Sequence, residues 1–495
     1  MSQLISKSGI AVAAACAFAM SANAQISFNS AVDYSVSTGP HQTATGDWNG
    51  DGHMDLAVTT SGPDRVHLLF NAGDGTFPTS DDVTLANGSS PHGIFAADLD
   101  GDQDTDLVVT LENLDMVQVL TNQGGVFVVG ATYPVGSAPR YVVAAQLDAD
   151  ASFDLAVSNR AGNSIAVLLN DGSGLFGTAL YYAAGNGPRA LVAADLDQDG
   201  DRDIAVASHD TQELLLLLNN GSGIFTAGPS LAIGSIKPEG VDSSDLDHDG
   251  DNDLVSGGET GGQNSTSIFL QTSPGVFSGP TNFATNGIDP GVVVTADFDL
   301  DTDVDVAIVN ETSNDLAILA NNGDATFAAA TNYATGTQPD HVIAADLDQN
   351  GSIDLVTTNE TGDSVSVYIN QDRSAFNDLG HGLGGIDGLP VLAGVGTLKP
   401  NTSAALIVTN GAPNATAFLI IGATRFDASF AGGTFVPSAD FVIPVLLDGS
   451  GDLFTQGTWP SGIPADDDFY FQVWILDSAG PRHFSATNGL LATAQ

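Results

Sequence analysis

Basic residues are scarce in this chain: 11 Lys and Arg stand against 60 Asp and Glu in 495 residues, a formal net charge of −49. Such a surface repels nucleic-acid phosphates and anionic lipid, which excludes both as partners, and it attracts cations. Cysteine is nearly absent. The only one, Cys16, lies in the N-terminal segment, so a mature chain without that segment has neither disulfides nor a thiol nucleophile. Aromatic residues are few, at 7%. No apolar run is long enough to cross a bilayer, so membrane insertion is not expected. The H-E-x-x-H, G-x-S-x-G and phosphate-loop patterns are also missing, and the expectation is a protein that is not an enzyme.

What is abundant is glycine (57 residues) and aspartate, without long polar tracts, which suits a turn-rich β protein. Residues 1–24 read as a secretory signal: Lys7, an apolar run from Ile10 to Met20, then Ala22-Asn23-Ala24 as a small-x-small cleavage site. The expected location is therefore secreted, extracellular or at the cell surface. An exported chain without disulfides commonly gains its staple from bound metal.

One pattern organises the chain. An acidic loop followed by a short apolar strand recurs seven times, starting at Asp47, Asp98, Gln146, Asp195, Asp245, Asp297 and Asp346, with spacings of 51, 48, 49, 50, 52 and 49 residues. A period near fifty is that of a propeller blade with four short strands. In the unit around Asp195, Ala190 to Ala194 enters the loop, Ile204 to Ser208 leaves it, and Glu213 to Leu218 follows. The turn Asn219-Asn220-Gly221-Ser222-Gly223 then leads to a fourth strand near Phe225. A strand-like segment, Phe28 to Val36, precedes the first loop and has no counterpart after the last. It is expected to complete the final blade and close the ring.

The phrases D-x-D-x-D-G-x-x-D-L and N-x-G-x-G-x-F resemble FG-GAP/VCBS repeats, the type that forms the seven-bladed head of integrin α subunits. The loop alone also resembles an EF-hand, but its flanks are β-like and not amphipathic helices. Carboxylates at loop positions one, three, five and nine, with a carbonyl near seven and glycine at six, can wrap a calcium ion, and the resemblance implies the same ligands. They are Asp47, Asn49, Asp51 and Asp55; Asp98, Asp100, Asp102 and Asp106; Asp148, Asp150 and Asp154; and Asp195, Asp197, Asp199 and Asp203. The remaining loops offer Asp245, Asp247, Asp249 and Asp253; Asp297, Asp299, Asp301 and Asp305; and Asp346, Asp348, Asn350 and Asp354. Several Ca2+ ions, up to about one per blade, are expected. The second and sixth loops have Gln103 and Thr302 in place of glycine. The third, with Gln146 and Ala151, is expected to bind weakest.

A ligand is expected at the opposite rim, where the first strands begin. Each has a proline followed by a variable residue: His41, His92, Arg140, Arg189, Glu239, Gly291 and Asp340. The basic members offer a sector for a carboxylate or sulfate group. His53, His67, His209 and His248 read as ordinary turn and strand residues.

The fold expected is all-β: a seven-bladed propeller over 25–379, a linker at 380–387 and a β-sandwich-like module over 388–495, with strands at Ala404 to Val408, Ala417 to Ile421, Phe441 to Leu447 and Tyr470 to Leu476. In that module Trp459, Phe471 and Trp474 form either core or a sugar-stacking face. The expected function is extracellular binding or adhesion, with protein or glycan as the partner. A lectin is one alternative, for which Tyr34, Tyr133, Tyr182 and Tyr333 are the once-per-blade aromatics. A polysaccharide-degrading enzyme is the other.

Overall fold

The computed structural model describes residues 26–259 and 264–371, and beyond them chiefly the strands between 376 and 493. The signal-like segment, Cys16 and Trp459 lie outside the described residues. The chain divides into two compact units, one holding Phe28–Phe298 with Asp303–Asn370, the other Gln371–Gln495 with Met1–Ser27 and Asp299–Thr302.

Seven four-stranded antiparallel sheets make up the larger unit. The first comprises Thr38–Gly46, Asp55–Gly62, Asp64–Phe70 and Thr79–Thr84, and its strands pair in chain order. The innermost strands are Thr38–Gly46, Pro91–Ala97, Pro139–Ala145, Pro188–Ala194, Lys237–Ser244, Pro290–Ala296 and Pro339–Ala345. Each packs against the next, and the seventh packs back on the first, so the sheets close into a ring. The seventh sheet takes its fourth strand from the N-terminal side. Val32–Ser35 pairs antiparallel with Ser364–Tyr368, the clasp that the order of the segments anticipates. It leaves no strand of the ring unclosed.

Burial follows position in the blade. Second strands such as Asp106–Leu111 and Asp203–Ser208 are buried along their whole length, because neighbouring sheets cover both faces. Fourth strands such as Leu180–Ala183 are exposed at three of four positions. Edge-to-face ring pairs stitch outer strands to the next blade: Tyr34 with Phe77 at 5.3 Å, Tyr133 with Phe176 at 5.3 Å, Tyr182 with Phe225 at 5.4 Å, and Tyr333 with Phe28 at 5.5 Å. The once-per-blade tyrosines are thus engaged in packing, and this removes the feature that a sugar-stacking role for them would need.

The smaller unit is also built of strands. One sheet includes Thr416–Gly422, Phe441–Leu446 and Asp468–Leu476; a three-stranded sheet holds Val391–Gly396, Ser403–Thr409 and Leu453–Thr458. Leu392 and Val408 of the latter share a core with Leu419, Phe471 and Val473 of the former, which is the packing of a sandwich. Phe471 and Trp474 are buried, and the indole of Trp474 donates to Gln472 Oε1 at 2.9 Å, so both are core. Phe376–Gly380 pairs with Gly489–Thr493 in this unit, so the ring ends at Asn370 and not at 379.

Candidate functional site

At the end of every innermost strand lies an acidic loop of one design. The ninth-position aspartates, Asp55, Asp106, Asp154, Asp203, Asp253, Asp305 and Asp354, are fully buried. Each accepts one N–H from the second loop residue and another from the end of the third strand. Asp203 takes Leu196 N at 2.9 Å and Asn219 N at 2.7 Å, and Asp354 takes Leu347 N and Asn370 N, both at 2.7 Å. Burial pushes the carboxyls of Asp55, Asp106, Asp154 and Asp203 up to about 6 and those of Asp253 and Asp354 up to about 7, against the lowering effect of the two N–H donors. The ninth aspartate is therefore a hub of the loop before it is a metal ligand, a role that the ligand pattern alone did not reveal.

The residue that ends the third strand carries the hub to the next blade. Asn219 Nδ2 donates to Arg202 O at 3.0 Å within its own blade and to Leu147 O at 2.8 Å in the preceding one. Asn122, Asn170, Gln271, Asn321 and Asn370 each reach the corresponding carbonyl of Trp48, Leu99, Leu196, Leu246 and Phe298. Asn71 closes the circle on Leu347 O at 2.7 Å. The signal was present in the sequence: the asparagine lies sixteen residues after the aspartate in six of the seven repeats.

Calcium fits the fourth and fifth loops best. Asp195, Asp197 and Asp199 bring ligand atoms within 4.8 Å of one another, and so do Asp245, Asp247 and Asp253. The Oδ1 atoms of Asp195, Asp197, Asp245 and Asp247 are buried and accept no hydrogen bond. Burial, and then the charge of the next loop aspartate, pushes Asp197 and Asp247 up. Buried anionic oxygens that repel one another and lack donors suit a hard cation. Asp251 belongs with them: its Oδ1 is equally unpartnered, and burial with the charge of Asp249 raises it to about 6. Ligand atoms also gather from Asp98, Asp100 and Asp106.

In the other loops, self-contained hydrogen bonds are prominent. Asp47 accepts the N–H groups of Gly50, Asp51 and Gly52, while Asn49 and Asp51 accept from Asp51 and His53. Asp346 accepts from Asn350 and Gly351, and Asn350 from Ser352. The sixth loop position has a positive φ at Gly52, Gly200, Gly250 and Gly351, but also at Gln103 (78°) and Thr302 (81°). Ala149 and Ala151 of the third loop adopt no such conformation. There Gln146 Nε2 donates to Ala151 O at 3.1 Å, while Asp148 and Asp150 accept the N–H groups of Asp150 and Ser152. The third loop has a different backbone, and its own amide group turns toward the loop.

The opposite ends of the innermost strands carry the second constellation. Every one of the seven pairings between first and second strands shifts register just after the proline or its equivalent, Pro40, Pro91, Pro139, Pro188, Pro238, Pro290 and Pro339. Such bulges re-aim side chains. From there to the acidic loop is about seven residues of strand, or roughly 23 Å. Neighbouring rim residues meet. His41 stacks on His92 with ring centroids 4.4 Å apart, His41 Nδ1 is 3.9 Å from Asp340 Oδ2, and Arg189 is ion-paired with Glu239. Arg140 lies 3.8 Å from Glu112.

Three further residues join them from the turn after the second strand: Glu112, His209 and Glu311. His209 Nε2 is 3.4 Å from Glu239, so it is a rim residue and not an ordinary turn histidine. Glu311 occupies the gap in the ring where the sixth blade has Gly291; a Cβ there would lie 2.8 Å from its Oε1. Burial, then the charges of Glu239, Asp340 and Asp289, push Glu311 up to about 9, with Arg189 opposing. His92 is held well below the ordinary histidine range by burial and by the charges of Arg140 and His41. For Asp340, burial acts upward, but His41 and Arg140 outweigh it and hold the carboxyl down. Below the rim the innermost strands enclose a cavity of about 400 Å³ lined by Gln42, Tyr141, Asp242, Val293 and His341 among others.

A closed ring of four-stranded sheets, each entered through an aspartate loop, defines a β-propeller of acidic-loop repeats. A family model of the FG-GAP-like repeat matches residues 47–109, 146–206, 195–256, 245–308 and 297–357, together more than half of the chain, and the chain belongs to that family. Among solved structures it is similar to BBS1N in complex with ARL6DN, at 10% identity and a TM-score of 0.51 over 69% of this chain and 96% of that one. It is also similar to an Agrocybe aegerita lectin that recognises non-reducing terminal N-acetylglucosamine, at 18% identity and a TM-score of 0.43 over 66% and 86%. A protein from Lactobacillus plantarum matches at 18% identity and 0.46, over 60% and 86%. At these identities the first likeness shows the fold alone. No curated protein matches the chain. No helix among the described residues is long and apolar enough to cross a membrane.

Proposed function

We propose that the chain is an exported calcium-binding propeller that holds an extracellular protein or glycan at its axial rim. The observation that carries this reading is the gathering of variable, charged side chains at seven bulged strand starts, on a scaffold whose other features repeat. Recognition surfaces are built in this way, with fixed elements presenting differing side chains. Arg140 and Arg189 each have a buried Nε without a hydrogen-bond partner, so their guanidinium groups are only partly satisfied by Glu112 and Glu239. Calcium in the loops at the far end pins the strand connections, a folding role.

Export is supported by the N-terminal signal pattern and by the extracellular habit of FG-GAP repeats. The test is binding of the calcium-loaded protein to glycan and extracellular-protein arrays, repeated with Arg140→Ala/Arg189→Ala. Loss of binding with an unchanged calcium-dependent melting temperature supports the reading. Unchanged binding by the double variant overturns the rim as the site, and a reducing-sugar or unsaturated-product signal would replace binding by catalysis.

A further inference from the structure

We propose that His41, His92 and Asp340 form a site for a borderline divalent metal such as Zn2+, at the rim and separate from the aspartate loops. It goes beyond the partner-binding reading and does not depend on it. The three residues come from the first, second and seventh blades, and their ligand atoms lie within 4.8 Å of one another. The candidate ligand atoms are His41 Nδ1, His92 Nε2 and Asp340 Oδ2. Each is buried, and none has a hydrogen-bond partner. Orphaned polar atoms are rare in an interior, and three so close together need a common explanation.

The second ring nitrogen of His92 supplies an independent pointer. His92 Nδ1 sits 3.1 Å from the main-chain carbonyl of Arg140. A proton on Nδ1 donates to that carbonyl, which leaves the Nε2 lone pair free. Metal-bound histidines are held in this way, with the distal nitrogen on a carbonyl or carboxylate. Two imidazoles and one carboxylate select against calcium, which takes oxygen donors, and suit zinc or another first-row cation with positions left open to an external ligand.

The geometry also states what binding requires. Donors on one tetrahedral ion with bonds of about 2.0–2.1 Å lie roughly 3.3 Å apart, so His41 and Asp340, at 3.9 Å, must close up by about half an ångström. The stacked rings of His41 and His92 direct their lone pairs in nearly parallel planes, 16° apart. One ring must therefore turn. His92 is fully buried and tied to Arg140, whereas part of the His41 side chain is exposed, so His41 is the ligand that swings onto the ion.

The test is Zn2+ titration of the full chain at millimolar calcium, followed calorimetrically, with Co2+ as a visible-absorption probe of nitrogen-containing coordination. The expected result is one zinc per chain and a cobalt spectrum with imidazole ligands, with affinity falling at least about 100-fold in His41→Ala and in Asp340→Asn. Both variants leave the aspartate loops untouched, so an unchanged calcium-dependent melting temperature shows that they fold. Zinc binding of equal affinity in wild type and both variants would overturn the site, as would no stoichiometric binding at all, the result if an ordered water satisfies the three atoms.

Discussion

The side-chain amide of Asn71 donates to the main-chain carbonyl of Leu347 at 2.7 Å, joining the first blade to the seventh across 276 residues. The same bond, made between successive blades, recurs around the ring, and each asparagine is tied back to the buried aspartate of its own loop. The loop that would bind calcium, the turn that starts the fourth strand and the contact with the next blade are therefore one hydrogen-bonded unit. A cation that ordered the loop would therefore also order the interface.

Removing one latch should be costly anywhere in the ring. Asn219→Ala takes the side-chain donor from Arg202 O and one of two donors from Leu147 O, which keeps Gly223 N, and is expected to lower stability by about 1–2 kcal/mol. Asn71→Ala should cost about the same, because Leu347 O and Met54 O are the equivalent acceptors. Urea unfolding of the two variants beside the wild type measures this. A loss below about 0.5 kcal/mol in both would show that the latch is not a stabilising element.

Calcium should raise the melting temperature of the chelated protein, with several ions bound per chain. At a free concentration one hundred times its dissociation constant, each site adds about 2.7 kcal/mol. Asp245→Asn/Asp247→Asn removes both negative charges from the buried, donorless carboxylates of the fifth loop and should cost one ion in equilibrium dialysis. Asp148→Asn, in the third loop, should cost none. Loss of an ion by the latter and not the former would reverse the ranking of the loops.

The backbone of the loops offers a gain-of-function test. Gln103 sits at a φ of 78°, where a side chain costs about 1–2 kcal/mol and glycine nearly nothing, so Gln103→Gly should stabilise by about 1 kcal/mol. In the third loop Gln146→Asp/Ala149→Gly/Ala151→Gly restores the acid and both left-handed positions seen at Gly50 and Gly52. It is expected to bind one more calcium than the wild type. An unchanged count would mean that the third blade resists the loop for reasons outside these three residues.

The period, the closing strand and the aspartate pattern were legible because each depends on local chemistry: acidic ligands at alternate positions, glycine at a positive φ, and an Asn/Gly turn. Gln146 and Ala151 even marked the loop that differs. The double duty of Asp203 and its equivalents was not legible, since a carboxylate that accepts main-chain N–H groups looks the same in sequence as one that binds metal. The pairing of Arg189 with Glu239, and the reach of Glu311 through the gap at Gly291, depend on which blades become neighbours and on side-chain direction. The role of the tyrosines was not legible either, because one aromatic per blade serves inter-blade packing as readily as sugar stacking.

Glu311 sets the last expectation, which concerns pH. In the folded chain its carboxyl is pushed up to about 9 by burial and by Glu239, Asp340 and Asp289, from an ordinary value of 4.5. Between these two values the folded protein holds a proton that the unfolded chain releases, so the native state binds more protons and stability falls as pH rises through the window. Below the lower value both states are protonated, and the penalty vanishes. Glu311→Gln keeps the shape and the neutral charge, so it should match the wild type near about pH 4 and become progressively more stable than it toward about pH 8.5. Urea unfolding of both proteins across that range reads the effect directly. Parallel stability curves for the two would mean that Glu311 is ionised in the fold and that the gap at Gly291 is wetter than its burial indicates.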